Sequence, residues 1–152
     1  MTRIAKGLLI SAALIASAVI GSSAGADEAA YKAALEDASK SFGFVPTFLK
    51  EMPRAALPGA WQELKDLEFT EGTALPAKVK ALIGLAVVAQ IPCQYCIWAD
   101  AAGAKQAGAT DEEIREAVAI AATERYWSTM LNGLQIDLPQ FKAELGPVFG
   151  VK

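Results

Sequence analysis

The sequence predicts an all-α protein, a single domain of about six or seven helices behind a cleaved leader. Three observations carry this. The chain is rich in alanine and leucine and poor in runs of β-branched residues, a composition that favours helices. Apolar positions recur at helical spacing in segment after segment, and no segment alternates as a half-buried strand does. Glycine and proline fall between those segments, where helices begin and end. The chain has 152 residues, enough for one domain.

The first element is the leader. Arg3 and Lys6 form a short positive region, Gly7 to Ile20 is apolar, and Ala24-Gly25-Ala26 is a small-residue cleavage pattern. Residues 1–26 therefore read as a secretory signal and 27–152 as the mature domain, starting at Asp27. The apolar stretch is short for a retained anchor, and no cysteine follows it to carry a lipid. Cleavage removes two positive charges and no acid, moving the formal net charge from −3 to −5. A modestly acidic domain without a basic patch argues against nucleic acid as a partner. The expected location is periplasmic or secreted, with no membrane contact once the signal is gone. Such a compartment oxidises exposed cysteine pairs.

The mature elements follow in order. Asp27 to Ser41 is an amphipathic helix with Tyr31, Leu35 and Ala38 on one face, and Gly43 breaks it. Pro46 to Met52 forms one or two turns presenting Phe48 and Leu49. Pro53 and Pro58 punctuate the next stretch, and Gly59 to Phe69 is a helix whose apolar face includes Ala60, Trp61 and Leu64. Pro76 opens a helix reaching Gln90. Its unbroken apolar run, Ala81 to Ala89, is too short to cross a bilayer and reads as buried. Pro92 ends that helix and starts another in its first turn, running to Ala107 before Gly108. Thr110-Asp111-Glu112-Glu113 is a capping box. It opens a helix to about Leu131 with Ile114, Ala117, Val118, Ala121 and Ala122 as its buried stripe, stopped by Asn132-Gly133. Asp137 caps a last short helix ended by Gly146-Pro147.

Chemistry concentrates at Cys93 and Cys96, the two cysteines of the chain, in C-x-x-C spacing at the start of a helix. First-turn N–H groups lack intrahelical partners, and with the helix dipole they stabilise an anion. A thiol there ionises more readily, and the thiolate is the reactive form. Three residues apart on a helix, the side chains are neighbours, so one can attack a substrate and the other close a disulfide. The spacing alone does not choose between them. The alternative is an idle disulfide formed on export. With no histidine and no further cysteine, neither a four-ligand metal site nor a cofactor is expected. Asp100 lies four residues beyond Cys96 on the same face, within reach to accept its proton. As a permanent anion it would instead oppose thiolate formation. Tyr95 and Trp98 read as walls of the site, and Trp61 and Trp127 as core or interface residues.

An apolar helix, C-x-x-C at the next helix start and a following G-A-T-D-E-E-I-x-E-A helix together resemble the AhpD-like alkylhydroperoxidase group of the carboxymuconolactone decarboxylase superfamily. The resemblance covers roughly Leu57 to Gly133. It implies an all-α domain that associates as a homo-trimer or hexamer. It also implies a thiol-dependent peroxidase or disulfide oxidoreductase acting on a hydroperoxide or disulfide, with Cys96 attacking and Cys93 resolving. The reducing partner is not implied. The group's acid–base partners do not carry over. Its glutamate position is Ala81, its histidine after the second cysteine is Asp100, its histidine between the cysteines is Tyr95, and a further histidine position falls near Tyr126. Weak activity is therefore expected. The competing reading is a non-catalytic helical oligomer with a structural disulfide. The lactone-cleaving branch is disfavoured because it leans on a histidine this chain lacks.

Overall fold

The computed structural model describes residues 17–151, which contain seven α-helices and no strand. The positive region and most of the apolar region of the leader lie outside the described residues. Backbone contacts gather into two units, one up to Phe69 and the other from Thr70 onward.

The first unit holds α1 (Ser17–Phe42), α2 (Thr47–Lys50) and α3 (Leu57–Leu64). The helix expected from Asp27 is thus part of a longer one that passes through Ala24-Gly25-Ala26. Alanine and serine before Asp27 contain no proline that would stop it. Gly43 ends α1 with φ +79°, and its N–H donates to the Ser39 carbonyl at 2.8 Å. Ala34, Ala38, Leu49, Leu57 and Trp61 form the core, with Tyr31, Leu35, Met52 and Leu64 packed against it. Leu49 faces inward, while Phe48 beside it is exposed. The helix expected to reach Phe69 stays α-helical only to Leu64 and then widens into a π-helical segment, Lys65–Phe69.

Asp37 is the polar centre of this unit. It accepts from Trp61 Nε1 at 2.7 Å and from Lys65 Nζ. Those two donors, Lys65 first, hold its carboxyl below the usual aspartate range.

The second unit holds α4 (Ala77–Val88), α5 (Gln94–Gln106), α6 (Asp111–Gly133) and α7 (Leu138–Phe149). α4 packs against both α5 and α6. Leu85, Ala104 and Ala121 are the buried apolar residues here. Two of the three are alanine, so the helices approach closely around a thin core. Two ion pairs tie helix starts to neighbouring elements, Lys78 with Glu113 at 2.7 Å and Lys105 with Asp111 at 2.9 Å. Thr110 forms the expected capping box: its hydroxyl accepts from Glu113 N, and Glu113 accepts from Thr110 N.

Three expectations fail in this unit. α4 is not buried all round: Val79, Ile83 and Val87 are exposed, because its neighbours cover one side of the helix. The stripe on α6 is likewise partial, with Ala121 buried but Val118 exposed. Finally, two helix ends fall later than expected. α6 runs through Asn132-Gly133, and Gln135 takes the left-handed conformation instead, at φ 53°. α7 passes through Gly146-Pro147 to Phe149. The usual clash between a proline ring and the preceding Cβ is absent, because residue 146 has no Cβ. A Cβ there would also lie 2.9 Å from the Val151 carbonyl oxygen.

Candidate functional site

The site is built where α4 hands over to α5. Past Val88 the chain turns through Ala89 to Pro92, with the Cys93 N–H donating to the Ile91 carbonyl at 2.7 Å. Gln90, at the close of α4, donates its side-chain amide to the Ala121 carbonyl in the middle of α6. That bond anchors the handover to a third helix.

Cys93 and Cys96 are joined as a disulfide, with Cα atoms 5.4 Å apart. The expected placement shifts by one residue. Pro92 lies outside the helix, Cys93 is the N-cap, and Cys96 is the third helical residue. The Cys96 N–H donates to Cys93 Sγ at 3.2 Å, as it would to a serine hydroxyl in that position. The Cys93 carbonyl accepts the first intrahelical bond, from Ile97 N at 3.0 Å.

Both sulfurs are half-buried. Cys93 borders an open, mostly apolar recess of about 480 Å³, lined also by Pro92, Gln94, Tyr95 and Ile97. Tyr95 and Trp98 are both exposed, at 79% and 76%; of the two expected wall residues Tyr95 lines the recess and Trp98 does not.

Asp100 lies on α5 one turn beyond Cys96, half-buried against α4. A methyl group on Gly84 of α4 would sit 3.3 Å from Asp100 Oδ2 and 3.5 Å from its Cγ. Glycine at 84 is what lets the carboxylate tuck between the helices. Sequence reasoning missed Gly84. Its signal was a lone glycine inside an apolar helical run, which costs helix stability unless something packs there. Gln90 was missed as well, because its partner is a carbonyl thirty-one residues away.

Burial raises the Asp100 carboxyl above the ordinary aspartate value. The other carboxylates that shift, Glu28, Asp37, Asp111 and Glu113, are lowered by hydrogen bonds from neighbouring cations. Among the described residues no cation or hydrogen-bond donor reaches Asp100. A desolvated carboxylate with no cation beside it binds a proton more readily than its exposed counterparts. Ala81 brings no acid–base group, Tyr126 puts an exposed phenol where the family has an imidazole, and no cluster of metal-ligating side chains occurs among the described residues.

These features belong to a recognised class. The chain is a member of the carboxymuconolactone decarboxylase family, whose profile matches residues 55–137. A protein of Paracoccus denitrificans described as "Uncharacterized protein 4 in cox locus" is 38% identical over 71 residues, covering 47% of this chain and 63% of that protein. The chain thus spans less than two thirds of that relative's length. No solved structure matches. The resemblance drawn from the sequence is borne out at the level of this family.

Proposed function

We propose that the protein is an exported thiol–disulfide enzyme that reduces hydroperoxides or organic disulfides with the Cys93–Cys96 pair. The observation that carries this reading is the position of the pair. A disulfide at a helix N-terminus, with a backbone N–H already aimed at one sulfur, is set to release a stabilised thiolate when reduced. The recess beside Cys93 leaves room for a substrate. Asp100 is the candidate proton acceptor, since its carboxyl is lifted toward the range useful for proton transfer.

The test is single turnover. Reduced protein mixed with a stoichiometric alkyl hydroperoxide or small aromatic disulfide should convert to the intramolecular disulfide. A dithiol that persists under both oxidants would leave the competing reading, a non-catalytic helical oligomer with a structural bridge. That second reading draws on the absence of histidine and of the family's glutamate at Ala81.

Two further proposals accompany this one. The mature chain begins at Asp27 after export, which intact-mass analysis of periplasmic or secreted material checks. Among the described residues no helix is long and apolar enough to cross a membrane. The mature chain also assembles as a homo-trimer or hexamer. This rests on the apolar side chains left exposed in the second unit, among them Ile83, Val87, Ile120, Tyr126 and Trp127. Light scattering at micromolar concentration tests it, and a monomer would count against it.

A further inference from the structure

We infer that Cys93, and not Cys96, is the sulfur that attacks the substrate, and that Cys96 with Asp100 performs the resolving step. The inference rests on the redox reading above and reverses the roles that the family resemblance implies.

Three independent features of the site agree. Cys93 is the N-cap of α5, and its sulfur receives the Cys96 N–H at 3.2 Å. A sulfur in that place takes the anion-stabilising position of the first turn. No backbone N–H is found on the Cys96 sulfur among the described residues, and as the third helical residue its side chain has left the cap. Access points the same way. Cys93 lines the recess, with Pro92, Gln94, Tyr95 and Ile97, and Cys96 does not. The third feature is charge. Asp100 shares the Cys96 face of α5 and has no cation to neutralise it, so it disfavours a standing thiolate at Cys96.

No other ionisable group competes for Cys93. On α5 the first two turns carry Tyr95 and Asp100 besides the cysteines. α4 carries Lys78 and Lys80 near its start, held by Glu113 and the Thr70 carbonyl, and nothing titratable from Ala81 to Gln90. α6 contributes Asp111 and Glu113, paired with Lys105 and Lys78, then Glu112, Arg115, Glu116, Glu124, Arg125 and Tyr126 along its length.

The chemistry balances with the protein dithiol, the disulfide substrate and water. The Cys93 thiolate attacks one sulfur of a disulfide R–S–S–R. A Cys93–S–S–R bond forms, and the first RS⁻ leaves and takes a proton from water. The Cys96 thiol gives its proton to Asp100 and attacks Cys93 Sγ. The Cys93–Cys96 bond forms, and the second RS⁻ leaves and takes the proton from Asp100. One disulfide is reduced to two thiols, and the protein dithiol is oxidised to the bridge. Asp100 that hinders Cys96 as a resting anion thus helps it at the moment of attack.

The test labels the reduced wild-type protein with limiting iodoacetamide across pH 5 to 9 and maps the labelled peptide. Cys93 should be alkylated first at the acidic end, by roughly 3-fold or more: one unit of difference in thiol pKa gives ~10-fold more thiolate, partly offset by the lower nucleophilicity of the more acidic thiol. Equal labelling, or Cys96 first, overturns the inference. The labelling does not use an oxidant, so its outcome is separate from whether the pair reacts with peroxide or disulfide. Single substitutions give a second reading. Cys96→Ser leaves Cys93 at the cap and should form a stable mixed disulfide with a small aromatic disulfide. Cys93→Ser keeps a good N-cap, so the helix is retained, and should react at least roughly 3-fold more slowly below pH 7. A faster Cys93→Ser overturns the assignment while leaving a redox-active pair. Wild-type dithiol inert to both oxidants overturns the redox reading itself.

Discussion

Replacing Gly84 with alanine probes the contact that seats Asp100. The new methyl would sit 3.3 Å from Asp100 Oδ2, 3.5 Å from Cγ and 3.8 Å from Oδ1. The first distance is tighter than ordinary contact, so the carboxylate must yield by a few tenths of an ångström. It ends a side chain that can turn toward solvent, so the fold should tolerate the change. Alanine inside a helix is worth roughly 0.5–1 kcal/mol over glycine, so stability should hold or rise by up to about that amount. Proton transfer from Cys96 should suffer, because it depends on where the carboxylate sits. Asp100→Asn sets the limit of that loss, a slowing of about 10²-fold in the resolving step. Gly84→Ala should fall between Asp100→Asn and wild type. The assay is a quenched-flow single turnover with a small aromatic disulfide, counting mixed disulfide against intramolecular bridge. Both variants should accumulate mixed disulfide. If Asp100→Asn resolves at the wild-type rate or faster, Asp100 is a repulsive charge and the proton-acceptor role is refuted.

Other outcomes follow from the same structure. Because burial raises the Asp100 carboxyl, the folded state holds that proton more tightly than the unfolded chain. The stability it contributes is present at low pH and is lost as pH rises through the raised value. Asp100→Asn should therefore melt higher than wild type at pH 7 and level with it near pH 3, read by thermal denaturation. Thr110→Ala removes the hydroxyl half of the capping box on α6, leaving the residue-110 N–H on Glu113, and should cost about 1 kcal/mol in urea denaturation. Gln135→Gly relieves a left-handed backbone at a non-glycine residue and should stabilise by roughly 0.5–1 kcal/mol in the same assay.

What the sequence made legible was local. The Thr110 box, the Gly108 stop and the pairing of C-x-x-C with a helix start are each set by residues a few positions apart, and each is present. The first-turn placement of Cys93 missed by one residue, and that residue decides which sulfur sits at the cap. Features made by helix crossing were not legible. Ala81 to Ala89 looks buried from composition, yet the side of α4 carrying Val79, Ile83 and Val87 is left uncovered within one chain. Gly84 matters because of where α5 crosses α4, which no run of neighbours in sequence encodes. Pro147 looked like a stop because a proline lacks the N–H of the helical bond and also crowds the residue before it. Here that residue is glycine, so the second part of the cost falls.

The reduction potential of the Cys93–Cys96 pair tests the central claim most directly. It is measured by equilibrating the mature protein in dithiothreitol or glutathione buffers of known poise and trapping the free thiols. A sulfur stabilised as an anion at the α5 cap favours the reduced form, which makes the disulfide more oxidising. The account predicts a potential between about −270 and −120 mV, in the range of exchange-active pairs. A value below about −300 mV, where idle structural bridges lie, would contradict it.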